Sequence, residues 1–214
     1  MATNLIFIAD PMCSWCYGFA PELDALQQGL PEVPVEIVLG GLRTQQQPLD
    51  ADGRQLIHTH WEQVQAATGL TFSSTALDTE GFIYDTEPAC RAVVTARGIA
   101  AQTSLPVFHA IQQAFYAEGR DVTQAAILAE VAAQAMSNAG HAIDAGQFQE
   151  IWSSAAMVDA TQADFALTRN WDVQGFPTLV LERGRDLDLV TSGFVTMPVL
   201  VERLEELVEQ QAAA

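Results

Sequence analysis

The spacing of hydrophobic positions changes character twice along the chain. Leu5 to Ala9 is an apolar run ending at Asp10-Pro11, and Val35 to Leu39 is a second one bounded by Pro34 and Gly40-Gly41. Short runs of this kind between turn residues read as buried strands. Between them Trp15, Phe19, Leu23 and Leu26 recur at helical spacing, with Gly29 and Pro31 as stop signals. Together these segments predict a βαβ unit.

From about Gln45 to Asn170 the pattern is helical throughout and rich in alanine and glutamine, with helix starts expected at Thr86-Glu87-Pro88, Thr123 and Thr161. Leu128, Val131, Ala135 and Met136 make one apolar stripe in this block. Strand signals return after Pro177. Thr178 to Glu182 and Leu187 to Thr191 flank Arg183-Gly184-Arg185-Asp186, which reads as a hairpin connection. A last helix, opened by Thr196 and Pro198, turns Leu200, Leu204, Leu207 and Val208 inward, and Gln210 to Ala214 is expected to fray. The order is βαβ, helical block, ββα.

Composition narrows what such a chain can do. It has 214 residues, of which 49% are apolar and 17% charged, enough to bury a core over most of its length. Acidic residues outnumber basic ones 27 to 9, the basic ones are all arginine, and the net charge is -18. Such a surface repels nucleic-acid phosphates and anionic lipid, so neither is an expected partner. No run reaches the roughly 18 apolar residues of a membrane span. The start has no basic segment ahead of its apolar run, which reads as a strand and not as a signal peptide, so a cytoplasmic location is expected. In that compartment structural disulfides are rare, and close cysteines usually mean redox chemistry or metal.

Two of the three cysteines stand as Cys13-Ser14-Trp15-Cys16, where the first strand turns into the first helix. A thiol at a helix N-terminus meets unpaired N–H groups and the positive end of the helix dipole, which favour negative charge on sulfur. Cys13 is thus the expected nucleophile. Cys16, one turn further in, is placed to attack a mixed disulfide at Cys13 and release the product. A zinc site needs about four ligands, and no second Cys-x-x-Cys or Cys/His pair is present, so no metal is expected.

These residues resemble a known family. Asp10-Pro11-Met12-Cys13-Ser14-Trp15-Cys16-Tyr17-Gly18-Phe19, the later Gly175-Phe176-Pro177-Thr178 and the helical block between them look like the DsbA-like branch of the thioredoxin superfamily. The similarity is to its cytoplasmic group of FrnE-type oxidoreductases and candidate protein-disulfide isomerases. Tyr84 to Val93 also looks like a segment of that group. The resemblance implies an α/β, thioredoxin-like fold made of residues 1–44 and 171–214, split by an all-helical insertion over 45–170.

It also implies that Pro177 is the cis-proline facing the cysteines. Phe176 before it would offer its backbone to a bound peptide, with Ser14 and Trp15 as further substrate contacts. Pro21 resembles the proline that bends the active-site helix. The implied substrates are protein or peptide thiols and disulfides, with glutathione or thioredoxin as recycling partners and no cofactor beyond the dithiol. Ser-Trp replaces the Pro-His of periplasmic DsbA between the cysteines, which implies a less oxidising pair.

Two residues are auxiliary candidates. Cys90, in the first turn of a helix, is either a third redox thiol or a small core residue. Asp10 either takes a proton from Cys16 or forms the turn after the first strand. The alternative function is a glutathione-dependent kappa-class transferase or a hydroxychromene-carboxylate isomerase, whose architecture is similar. Those relatives carry serine at the nucleophile position, where this chain has Cys13.

Overall fold

The structure, a computed structural model, describes residues 3–44 and 46–212, the last three by their backbone alone. Gln45, where the helical block was expected to begin, and residues 213–214 of the expected frayed end lie outside the described residues. The order is β1 (Thr3–Ala9), α1 (Ser14–Gly29), β2 (Val35–Leu39), then six α-helices with a short 3-10 turn (Ala101–Thr103) and a π-helical turn (Gln113–Ala117) on either side of α4, then β3 (Thr178–Arg183), β4 (Asp186–Ser192) and α8 (Met197–Ala212). The six are α2 (Ala51–Thr68), α3 (Glu87–Ile99), α4 (Ser104–Gln112), α5 (Ala125–Asn138), α6 (Ala145–Trp152) and α7 (Ala155–Asn170). This is the mixed α/β, thioredoxin-like arrangement the sequence implied.

The four strands form one sheet in the order β2-β1-β3-β4, with β1 parallel to β2 and antiparallel to β3. Side chains alternate across β1. Leu5, Phe7 and Ala9 enter the main core, where Phe7 stacks on Phe19 of α1 at 5.9 Å and meets the Phe108 ring of α4 edge-on at 5.6 Å. The sheet and the helical block therefore share one core. Its seam on the other side is α7, whose Asp164 accepts from Leu39 N at 3.0 Å and whose Thr168 hydroxyl donates to Leu39 O at 3.2 Å. Arg97 of α3 donates to both Asp164 oxygens, at 2.9 and 2.8 Å, and to the Ile37 carbonyl at 2.7 Å.

Three sequence expectations need correction. Thr161 does not start a helix: α7 begins after Ser154, whose hydroxyl accepts from Met157 N, and Thr161 sits mid-helix with its hydroxyl donating to Met157 O at 2.7 Å. A threonine that back-bonds to the previous turn does not interrupt a helix. The start expected at Thr123 falls slightly later, because Asp121 takes up both the N–H and the hydroxyl of Thr123 in a turn before α5. In α8, Leu200 is fully buried and Leu204 and Leu207 pack on the core, but Val208 is 59% exposed at the margin of that stripe.

Candidate active site

The first turn of α1 carries both thiols. Cys13 is the N-cap residue in an extended conformation (φ −92°, ψ 117°), and its carbonyl accepts from Tyr17 N at 3.0 Å. Its sulfur adjoins the helix end where N–H groups lack intrahelical acceptors. Cys13 is 6% exposed and Cys16 is fully buried. Burial pushes the Cys16 thiol well above its usual range, and the neighbouring Cys13 sulfur adds to the effect. Both are free thiols.

Phe176 comes from the far end of the chain to meet them. Its carbonyl oxygen accepts from Cys13 Sγ at 3.7 Å, and the Phe176–Pro177 peptide bond is cis. Among the described residues nothing accepts from the Phe176 N–H. The Phe176 ring rests against the backbone of Gly40, where an added Cβ would fall 1.9 Å from Phe176 Cζ. Only glycine leaves room for the ring there. Trp15 is half-buried and packs on Phe194 at 5.5 Å, and Ser14 beside it is also half-buried.

Beneath the cysteine loop lies Asp10, fully buried. One carboxylate oxygen accepts from Met12 N at 2.8 Å, and the other from Leu42 N at 2.7 Å, Thr86 Oγ1 at 2.6 Å and Cys90 Sγ at 3.4 Å. Burial raises its pKa, and these hydrogen bonds offset the rise only in part. Asp10 thus forms the turn before Cys13 and also ties it to the loop after β2 and to α3. Cys90, fully buried, points at Asp10, and burial followed by that carboxylate pushes its thiol well up. The two auxiliary candidates meet each other, and the Asp10 carboxylate accepts no hydrogen bond from Cys16.

The sequence assigns no role at this loop to Tyr84, Thr86 or Tyr116, while Trp61, Phe72 and Phe115 read as core aromatics. The Tyr84 hydroxyl donates to Met12 O at 2.6 Å and lies 3.5 Å from the Tyr116 hydroxyl. Tyr116 stacks on Tyr17 at 4.9 Å, and Trp61, Phe72 and Phe115 complete an aromatic wall behind the cysteines. Tyr84, Thr86 and Cys90 all fall within the Tyr84 to Val93 segment that resembled the family, and that likeness was the signal available. Among the described residues no group of His, Cys, Asp or Glu is arranged to hold a metal ion.

A dithiol at a helix start, opposed by the backbone before a cis-proline on a four-stranded sheet, defines a protein of the thioredoxin-fold class. The chain belongs to the DSBA-like thioredoxin domain family, whose profile matches residues 4–205. A candidate protein disulfide isomerase from Nitrosomonas europaea is 39% identical, with 98% of this chain and 99% of that one covered and a TM-score of 0.86. The cytosolic disulfide reductase DsbM from Pseudomonas aeruginosa, also solved with GSH, is 25% identical over 99% of this chain and 100% of its own, with a TM-score of 0.75. A 2-hydroxychromene-2-carboxylate isomerase shares the fold alone, at 16% identity, 98% coverage of each chain and a TM-score of 0.62. No curated protein matches the chain.

Proposed function

We propose that this protein is a thiol–disulfide oxidoreductase that exchanges electrons between its Cys13–Cys16 pair and protein or small-molecule disulfides. The observation that carries this is the contact between Cys13 Sγ and the Phe176 carbonyl, with an unengaged N–H on the same residue. An extended substrate segment can pair with that backbone and bring its own disulfide to Cys13. The Cys13 thiolate attacks one substrate sulfur, the substrate S–S bond breaks, and the leaving thiolate takes up a proton. Cys16 then loses its proton and attacks the Cys13 sulfur, releasing the second substrate thiol and leaving a Cys13–Cys16 disulfide. Two electrons pass from protein to substrate, and a thiol such as glutathione or thioredoxin returns them. The reverse sequence oxidises a dithiol, and one attack followed by the reverse attack isomerises a disulfide.

In this proposal each residue has a role. Cys13 is the nucleophile, Cys16 resolves, Phe176 and Pro177 dock the substrate backbone, and Ser14 and Trp15 contact its side chains. Likeness to a cytosolic reductase, and to its GSH-bound form, supports a cytoplasmic setting and a reducing direction. No described helix is long and apolar enough to cross a membrane. The test is equilibration in glutathione redox buffers with mass readout of the Cys13–Cys16 pair. A two-electron transition towards the thioredoxin end of the scale, about −270 mV, is expected, and one near −120 mV would mean an oxidant. A pair that never closes a disulfide in those buffers ends the reading.

A further inference from the structure

Arg43 is one of four arginines, with Arg54, Arg169 and Arg185, whose guanidinium has no acceptor among the described residues, and it is the one of these four that is stacked on an aromatic ring. Arg91, Arg97, Arg120 and Arg183 are ion-paired, and Arg203 donates to the Val190 carbonyl. The backbone of Arg43 is clamped: its N–H donates to Thr86 Oγ1 at 3.3 Å, and its carbonyl accepts from Thr86 N at 2.8 Å. Its guanidinium, however, has no hydrogen-bonded or ion-paired acceptor among the described residues, and rests 5.2 Å from the centre of the Tyr84 ring. A guanidinium stacked on an aromatic face keeps its planar fork of donors in place, ready for a carboxylate.

The position of Arg43 connects it to the cysteines. Tyr84, on which it stacks, donates to the carbonyl of Met12, the residue before Cys13. The loop carrying Arg43 starts at Gly40 beneath Phe176 and is tied at Leu42 N to Asp10. It therefore runs from the docking backbone, past the cysteine loop, to the guanidinium. Beyond it opens a cleft of about 510 Å³ lined by Arg43, Gln46, Gln47, Pro48, Leu49 and Asp50. The Asp50 carboxylate there is engaged by Gly53 N at 2.8 Å as the cap of α2, and Gln46 donates to Asp85 at 3.0 Å. Arg43 is the cation of that cleft. The chain as a whole carries a net charge of -18, which disfavours the approach of an anionic disulfide.

Resting on the thiol–disulfide reading above, we propose that Arg43 is a specificity residue that selects disulfides carrying a carboxylate close to the reacting sulfur. Three disulfides of similar size test this: dithiodipropionate, an anion; hydroxyethyl disulfide, neutral; and cystamine, a cation. In wild type the ratio of kcat/KM for dithiodipropionate to that for hydroxyethyl disulfide exceeds the ratio for cystamine to hydroxyethyl disulfide. Arg43→Gln lowers the first ratio about tenfold, the scale of one charge-assisted hydrogen bond, and raises the second. Arg43→Lys restores part of the preference, and added salt erodes it in wild type and in Arg43→Lys but not in Arg43→Gln. Arg185→Gln, which removes the same charge at the exposed β3–β4 turn, leaves both ratios unchanged. If Arg43→Gln slows all three substrates alike, or Arg185→Gln shifts the ratios equally, the proposal is overturned while the dithiol reading stands. If wild type reduces none of the three, both fall together.

Discussion

Cys13 Sγ lies 3.7 Å from the carbonyl oxygen of Phe176, a residue 163 positions further along the chain. The sheet is what joins them. β1 and β3 pair antiparallel with Ile8 opposite Thr178, so the end of β1 that feeds Cys13 lies beside the start of β3 that follows Pro177. Cys13 and the Phe176 backbone, the proposed nucleophile and docking segment, are thus brought together by hydrogen bonds between two strands, with the helical block falling between them in sequence.

The difference in burial between the thiols makes the proposed division of labour testable. Alkylation of the reduced native protein at neutral pH should label Cys13 first, because Cys16 and Cys90 are fully buried and burial holds both protonated. Cys13→Ser should abolish exchange. Cys16→Ala should trap covalent mixed disulfides at Cys13, identified by mass spectrometry of the modified peptide. Faster labelling of Cys16 than of Cys13 would reverse the assignment.

Gly40 makes room for the ring of Phe176, the proposed docking residue. Gly40→Ala would put a methyl group 1.9 Å from the present position of Phe176 Cζ, so the ring must move and draw its carbonyl from Cys13. The expected result is a fall of about tenfold in kcat/KM for an insulin or peptide disulfide, as misplacement of a positioned group by a fraction of an ångström costs catalysis. The unfolding midpoint in urea should fall only modestly, since the ring is partly buried against the core and loses only part of that packing as it moves. Unchanged kcat/KM would show that Phe176 does not dock substrate.

How much of this was visible in the sequence depends on distance along the chain. The cysteine pair, the strand-to-helix turn and the hairpin at Gly184 are written in adjacent residues, and so were legible. Asp10 was legible as a turn former because its bond to Met12 N is local. Its bonds to Leu42, Thr86 and Cys90 were not, since those partners lie 32, 76 and 80 positions away on other elements. Thr86 looked like a helix cap by its place before Glu87-Pro88, yet its hydroxyl is drawn to Asp10 and the Arg43 carbonyl. Local propensity names a residue's usual partner, and tertiary packing supplied a different one.

The seam between helices and sheet should be the costliest polar site to break. Arg97 and Asp164 join α3 to α7, and each also bonds β2, at Ile37 O and Leu39 N. Arg97→Met leaves a nearly buried carboxylate with one donor fewer on each oxygen, and removing one partner of such a pair typically costs about 3 kcal/mol. Urea unfolding should show that loss. The double variant Arg97→Met, Asp164→Leu should recover part of it by removing the stranded charge, and a double variant less stable than the sum of the singles would contradict this account.

Asp10 should be the residue that makes stability depend on pH near the acid limb. Asp10→Asn keeps the shape but turns an NH2 group towards one set of partners, so either Met12 N or Leu42 N loses its acceptor; an unmet buried donor costs about 2 kcal/mol. The direction with pH comes from the raised pKa of Asp10, caused first by burial. A carboxyl that holds its proton more tightly folded than unfolded adds stability below the unfolded value of about 3.9, and that contribution is lost as pH rises through the raised folded value. The asparagine variant has no such titration. Wild type should therefore exceed Asp10→Asn by the widest margin at the acid end, with the gap narrowing as pH climbs past the ordinary aspartate range and constant at neutrality. Urea midpoints measured at a series of pH values decide it. A gap that widens with rising pH would mean that the hydrogen bonds from Met12, Leu42, Thr86 and Cys90 outweigh burial, and that Asp10 works as a permanently charged anchor.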